Sequence, residues 1–328
     1  RDLIVTGVQT CALPISRMSN AGHVRLFQVD SFTTTAYQGN PAGVVLEGDG
    51  LSDAQMQAIA RECNLSETAF VLSPDAADHQ VRVRFFTPSM EVPSCGHATI
   101  AAHYVRAREQ GLVDGRVIQK IKAGVLPVDI SRVEEGDYAV SMTQGAIEIG
   151  APLEDGEQAA ILAALGATAG DMEPGLPMVV ASTGHSKVMI GLRTKALVDG
   201  LRPDFGRLAA ISAKIGCNGF FPFTLEPVRP DVLSHGRMFA PAIGILEDPV
   251  TGNANGPLGA YLANLGFGPR DGTFSFTAMQ GEACRRPGRM EVCVEKCDGT
   301  SRRVIITGRA VVVFEALIPI PSSAVRQV

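Results

Sequence analysis

The sequence has no excess of basic residues, no long hydrophobic run and no regular cysteine pattern. Lysine and arginine number 29 against 34 aspartates and glutamates among 328 residues, a formal net charge of -5. The basic surface that nucleic acids and anionic membranes require is therefore missing. The longest apolar runs are broken by charge or proline well short of the ~18 residues that a membrane span needs. We expect a soluble protein whose partner is a small molecule, with neither nucleic acid nor membrane.

The seven cysteines form neither a CxxC pair nor a regular disulfide ladder. We therefore predict reduced thiols and a cytoplasmic location. The first residues, RDLIVTGVQTCALPIS, lack the basic region and the continuous apolar region of a signal peptide. They look like a translated sequencing adapter, so we expect residues 1–17 to lie outside the fold and the native start to be Met18.

Four features occur twice in the same order, which predicts two similar halves. Each half has an apolar strand after a glycine turn, an amphipathic helix that leads to an asparagine, a strand that ends at a proline, and a small-residue turn that opens another helix. The pairs are GNPAGVVL and GHSKVMIGL, LSDAQMQAIARECN and DFGRLAAISAKIGCN, RFFTP and RMFAP, and CGHATIAAHYV and TGNANGPLGAYLANLG.

The last of these pairs predicts two helix starts that suit an acid. Helices that begin at Gly96 and Gly252 expose unpaired backbone N–H groups and the positive ends of their dipoles. Short alternating strands fill the rest of each half, so we predict an α+β fold of two mirrored domains with both helix starts at one cleft. The expected N-terminal domain is 24–146, completed by a final strand 304–317, and the C-terminal domain is 147–303.

Cys95, in the stretch EVPSCGHATIAAH, has three interpretations: a nucleophile with His97 as its base, half of a metal site, or a small residue at a helix start. A racemase that uses two thiolates needs a cysteine at both turns, whereas Thr251 stands at the second turn. His97 and His103 are six residues apart, which puts them on different helix faces, so we expect no metal. The sequence favours the small buried residue.

Two carboxylates are candidates for proton transfer. Glu67 lies in NLSETAF, between an apolar helix and an aromatic strand. It is either an ordinary exposed glutamate or a desolvated general base or acid with a raised pKa. Asp248 stands just before the second helix start, where it can bind a substrate group or raise the pKa of Glu67.

The stretches DSFTTTAYQGNPAGVV, NLSETAF, RFFTP, CGHAT and GILEDPVTGNANGPLGAYL together resemble the phenazine-biosynthesis (PhzF-like) isomerase family over Val24 to Phe314. The resemblance implies a diaminopimelate epimerase-like fold, in which each of two pseudo-symmetric domains wraps a strongly curved, mostly antiparallel, barrel-like sheet around a central helix. It also implies an isomerase of a small carboxylic acid that needs no cofactor and no metal, with a homodimer left open.

Carried onto this sequence, the catalytic residues of the family are Glu67, His97 and Asp248. The residues expected to bind substrate are Ser66, Cys95, Gly96, Gly252, Asn253 and Ala254. The resemblance implies an alanine at the position of Cys95 and a serine at that of Asn253 in phenazine-pathway members, so the phenazine substrate itself is not carried over. An amino-acid epimerase or racemase, and an acid-binding protein without catalysis, remain as alternatives on the same fold.

Overall fold

The computed structural model describes residues 22–112 and 114–322. The leader that the sequence predicts over 1–17 lies outside this part of the chain. Within it, no helix is both long and apolar enough to cross a lipid bilayer.

Within the described residues, the N-terminal half contains eight strands and two α-helices. The strands are β1 His23–Ser31, β2 Asn40–Val45, β3 Thr68–Leu72, β4 Val81–Phe86, β5 Glu91–Val92, β6 Gly115–Ile121, β7 Gly124–Glu134 and β8 Asp137–Thr143. The helices are α1 Asp53–Cys63 and α2 Gly96–Gln110.

The C-terminal half repeats this plan with additional helices. Its strands are β9 Glu148–Pro152, β10 Val179–Ser182, β11 Lys187–Gly191, β12 Phe220–Thr224, β13 Ser234–Gly236, β14 Met238–Ala240, β15 Ile245–Asp248, β16 Gly272–Gln280 and β17 Gly288–Cys297. Its α-helices are α3 Asp155–Leu165, α4 Lys195–Gly200, α5 Phe205–Ile215 and α6 Gly252–Asn264, and two short 3-10 helices cover Ala169–Asp171 and Pro241–Ile243. The last strand, β18 Thr300–Pro319, serves both halves.

Eight strands close into a barrel in the N-terminal half. From β1 the order runs through β2, β3, β4, β6, β7 and β8 to β18, and the second part of β18 pairs with β1 again. The β2–β3 and β4–β6 pairs are parallel because α1 and α2 provide the crossovers that parallel strands need. Helix α2 occupies the interior, and its residues from His97 to Val105 are all buried.

In the C-terminal half the order is β9, β10, β11, β12, β13, β16, β17 and the first part of β18. Helix α6 is the central helix here. Gly259 lets it approach the sheet, since a Cβ at this glycine would lie 2.6 Å from the Val292 side chain. The predicted α+β class and the two barrel-like halves, each around one central helix, are confirmed.

Local sequence rules account for the repeated helices. Ser52 and Gln55 form a capping box at the start of α1. Asn64 ends α1 with φ +50° and Gly216 ends α5 with φ +68°, the left-handed conformation that stops a helix. Each helix therefore ends just before an inner strand of its barrel.

One hydrophobic core runs through both barrels. It includes Phe27 and Ile100 from the N-terminal half and Phe221 and Tyr261 from the C-terminal half, all of them buried. Helices α2 and α6 also touch each other. This shared core fixes the two halves against each other and brings both helix starts to their junction.

Candidate active site

The two predicted helix starts are confirmed as structural features. Helix α2 begins at Gly96 after Cys95, and α6 begins at Gly252 after Thr251. Neither preceding side chain caps its helix by a hydrogen bond, and the N–H groups of a first turn have no carbonyl partner inside the helix. These ends can therefore hold an anion.

Glu67 lies against the start of α2. It follows the left-handed Asn64, and its backbone carbonyl accepts the Gly43 N–H at 3.1 Å, which anchors it at the head of β3. Its carboxylate oxygen is 3.3 Å from Nε2 of His97, and the two side chains are only 13% and 8% exposed. The exposed, solvated interpretation of Glu67 is therefore wrong, because the packing of α2 and β3 encloses it.

His97 makes polar contacts through its backbone carbonyl and both ring nitrogens. Its carbonyl accepts the Ser31 hydroxyl at 2.7 Å, its Nε2 is 3.2 Å from Oγ of Ser66, and its Nδ1 is 3.4 Å from Sγ of Cys95. The ring thus presents one nitrogen to the Glu67 carboxylate and the other to a thiol.

Cys95 is buried, and it also contacts the acid/base pair. Burial, followed by the nearby charge of Glu67, raises the pKa of the Cys95 thiol well above its ordinary value, so the group keeps its proton near neutral pH. A protonated thiol can donate to Nδ1 of His97. Nε2 of the same ring faces the Glu67 carboxylate.

Asp248 joins this cluster from the other half of the molecule. Its Oδ1 accepts the Asn40 amide at 2.7 Å, its Oδ2 accepts the Thr251 hydroxyl, and Gln280 donates to its backbone carbonyl at 2.7 Å. Burial raises the pKa of Asp248, and the charge of His97 opposes this rise.

A profile of the PhzC-PhzF family, described as phenazine biosynthesis-like protein, matches residues 29–316. This chain belongs to the PhzC-PhzF family. It is 50% identical over 293 residues to the uncharacterized isomerase YddE of Escherichia coli K12, covering 89% of this chain and 97% of that protein. It is 32% identical to the trans-2,3-dihydro-3-hydroxyanthranilate isomerase of Pseudomonas aeruginosa, covering 85% and 92% of the two chains.

Solved structures place this PhzC-PhzF member among similar folds. The PhzF-family protein of Bacillus anthracis superposes with a TM-score of 0.81 at 33% identity, over 90% of this chain and 99% of that one. A hydroxyproline epimerase from Agrobacterium vitis matches with a TM-score of 0.59 at 12% identity, over 92% and 94% of the two chains. The second match shows the fold alone, and it agrees with the epimerase-like fold that the sequence predicts.

In this family member the expected substrate-binding residues lie at the two helix starts or beside His97. Ser66 contacts His97, and Gly96 opens α2. Asn253 and Ala254 lie in the first turn of α6, the former half-buried and the latter fully buried. The cluster is therefore built from both halves of the chain.

Sequence reasoning missed two residues that orient Asp248. Asn40 comes from the GNPAG turn 208 positions earlier, and Thr251 was considered only as a weak acid opposite Cys95. The available signal for Asn40 was its place in the GNPAG turn, which belongs to one of the repeated features. Its partner could not be read from the sequence, because only the contact between the halves joins the two residues.

Glu67, Cys95 and His97 each offer one ligand atom, and these atoms lie within 4.8 Å of one another. On the sequence, His97 was considered together with His103 as a metal pair, and that pair was rejected by its spacing. His103 points elsewhere, with its Nε2 3.0 Å from Gln119, and burial lowers its pKa to about 4. A metal bound by Glu67, Cys95 and His97 would require the Cys95 thiol to lose its proton, against its raised pKa.

Proposed function

We propose that this chain is an isomerase that moves a proton within a small carboxylic acid, with Glu67 as both general base and general acid. The observation that carries the proposal is the Glu67 carboxylate, enclosed and 3.3 Å from Nε2 of His97 at the start of α2. A desolvated carboxylate within reach of a substrate carbon is the kind of group that proton transfer needs.

The roles of the other groups follow from their positions. The substrate carboxylate lies against first-turn N–H groups at Gly96 and Gly252, where the helix dipoles favour negative charge. Glu67 removes a proton from one carbon, the electron pair shifts along the conjugated system, and Glu67 returns the proton to another carbon. His97 orients the Glu67 carboxylate, and Asp248 accepts a hydrogen bond from a substrate hydroxyl or amine.

The Pseudomonas aeruginosa relative, by its name, acts on trans-2,3-dihydro-3-hydroxyanthranilate, which is a cyclic acid with an amine and a hydroxyl. We propose a substrate of this general kind. The family resemblance implies serine where this chain has Asn253 and alanine where it has Cys95. A bulkier amide at the α6 start and a thiol beside His97 favour a different member of the class.

Epimerisation of an amino or hydroxy acid is the second candidate. It is favoured by Cys95, whose Sγ lies 3.4 Å from Nδ1 of His97 at the α2 start. The corresponding position before α6 is Thr251, which donates to Asp248 and cannot supply a second thiolate. A single-carboxylate mechanism therefore agrees better with the geometry than a two-thiolate one.

Solvent deuterium exchange tests the proposal. The purified protein is incubated in deuterium oxide with a panel of cyclic and linear hydroxy and amino acids that includes trans-2,3-dihydro-3-hydroxyanthranilate, and proton NMR follows the carbon-bound protons. Glu67→Gln should lower exchange by at least ~100-fold. Glu62→Gln, on the exposed side of α1, is the matched control and should exchange like the parent.

The products separate the candidates. A shifted double bond identifies an isomerase, and inversion at one carbon identifies an epimerase. Binding of an acid without any exchange would leave a binding protein, and the catalytic role of Glu67 would then be wrong.

A further inference from the structure

Lys187, the first residue of β11, is a buried lysine that forms no ion pair with any residue in the described part of the chain. It is 3% exposed, and its ammonium donates to the carbonyl of Ser186 at 3.3 Å. The lysine ion pairs found across 22–112 and 114–322 involve other residues, namely Lys120, Lys122 and Lys195. Because an ammonium buried without a counter-charge is costly, this position calls for an explanation that the fold does not supply.

The strand pattern places Lys187 inside the C-terminal barrel. Val188 and Ile190 belong to the cluster packed under α3 and α5, whereas Met189 belongs to the core that both barrels share. Side chains two residues apart lie on one face of a strand. Lys187 therefore shares the inner face with Met189, at the end where β11 begins.

This end of β11 lies at the junction of the two halves. His185, just before the strand, has its Nε2 3.5 Å from Oγ of Ser94, the residue that precedes Cys95. Burial lowers the pKa of Lys187, and the charges of Cys217 and Asp248 oppose this shift. Lys187 thus follows two residues after His185, whose ring contacts Ser94 beside the start of α2.

The internal repeat shows that Lys187 is not required by the architecture. The Gly43 N–H donates to the Glu67 carbonyl at 3.1 Å, and the Val188 N–H donates to the Gly219 carbonyl at 2.9 Å. Gly219 is therefore the counterpart of Glu67. By the same register, Lys187 is the counterpart of the residue before Gly43, which is alanine.

The lysine also occupies the space that the missing side chain leaves. Its Cδ lies 3.3 Å from the position that a Cβ on Gly219 would take. In the N-terminal half these two equivalent positions are therefore occupied by Glu67 and an alanine. In the C-terminal half they are occupied by Gly219 and Lys187.

We propose that Lys187 binds a carboxylate of the substrate on the wall of the cleft formed by the C-terminal half, and so selects for acids. The inference rests on the proposed function, because it takes the junction of the two halves as the substrate site. The bound carboxylate forms with this ammonium the direct ion pair that none of the described residues forms. Lys187 is then a specificity residue, distinct from the proton shuttle.

Binding of simple acids to the full chain tests this role. Thermal unfolding is followed with benzoate and with malonate, at an ionic strength held constant with sodium chloride, and benzamide serves as the neutral analogue of benzoate. Lys187→Met keeps the length of the side chain and removes its charge, and Lys187→Gln is a second, polar replacement. The control is Lys214→Met, at an exposed position on α5.

Both acids should stabilise the parent, and their Kd values should rise at least ~10-fold in both Lys187 variants. Benzamide should not stabilise the parent. The Kd values of both acids for Lys214→Met should equal those for the parent. Acid binding to the parent should also weaken above about pH 8, because burial lowers the pKa of Lys187 to about 8. This dependence should disappear in Lys187→Met.

The neighbouring groups allow the pH dependence to be assigned. Burial lowers the pKa of His185 and raises that of Cys217. Asp248 titrates from a pKa raised above an ordinary value of 3.8. Burial lowers the pKa of Lys187 to about 8, so loss of the pH dependence in Lys187→Met assigns it to Lys187.

Each result decides the question. Equal acid binding by the parent and both Lys187 variants overturns the inference and leaves the Glu67 proposal untouched. Absence of stabilisation by both acids in the parent overturns it as well, whatever the exchange experiment gives. Lys187-dependent binding in a protein that shows no deuterium exchange supports the anion site and refutes the catalytic role of Glu67.

Discussion

Replacement of Asn40 by alanine tests how the two halves build the site together. The Asn40 amide is 1% exposed and donates to Oδ1 of Asp248 at 2.7 Å and to the carbonyl of Val250 at 2.9 Å. A hydrogen bond to a charged group contributes roughly 2 kcal/mol and one to a neutral carbonyl about 1 kcal/mol. We therefore expect Asn40→Ala to lower the free energy of unfolding by about 3 kcal/mol at pH 8.

The cost should depend on pH in a definite direction. Burial raises the pKa of Asp248, and the Asn40 amide lowers it because the donor stabilises the charged carboxylate. The loss of Asn40 therefore raises this pKa further, so the variant loses stability relative to the parent as the pH rises. As the pH falls through the folded-state pKa of Asp248, the difference should shrink toward the ~1 kcal/mol of the Val250 bond.

Urea unfolding of the parent and the variant at pH 8 and at lower pH measures both quantities. Asn218→Ala is the control, since its side-chain amide is hydrogen-bonded to Nδ1 of His185 at 3.3 Å, and should cost less than ~1.5 kcal/mol. A cost for Asn40→Ala below ~1 kcal/mol, or one that stays constant with pH, would refute the assigned role of Asn40 in holding the Asp248 carboxylate.

Three further predictions concern residues around the cluster. Cys95→Ala should keep deuterium exchange within roughly tenfold of the parent, about 1.4 kcal/mol in the barrier, because the thiol only orients His97; loss of exchange would assign the chemistry to the thiol. Asn253→Ser should widen the range of acids that stabilise the protein in a thermal-shift screen, and an unchanged profile would count against its role. Arg286→Met should destabilise the protein by about 3 kcal/mol in urea unfolding, since it leaves the buried Asp30 without its 2.6 Å ion pair; a cost below ~1 kcal/mol would contradict this.

Much of the fold could be predicted because its rules are local. The capping box at Ser52, the left-handed stop at Gly216 and the helix start at Gly252 each depend on a few adjacent residues. Since both halves repeat these signals in one order, the pseudo-symmetric architecture could also be inferred. The candidate cluster of Glu67 and His97 followed from the resemblance to the PhzF-like family.

Strand lengths and strand partners were harder to predict from the sequence. The sequence predicted a final strand over 304–317, whereas β18 extends from Thr300 to Pro319. Its extra residues at the start pair with β17 and those at the end pair with β1. A strand can be recognised by its alternation, but its length depends on the neighbours that the closed barrel gives it.

By itself, the sequence determined the elements and their order, because capping, turn formation and amphipathic periodicity act between residues close in the chain. Only the tertiary structure decided that Glu67 is enclosed, that Asn40 holds Asp248, and that Lys187 is buried without an acidic partner among the described residues. The contact of Asn40 with Asp248 joins residues 208 positions apart. Such contacts depend on sheet register and barrel closure, which no local pattern specifies.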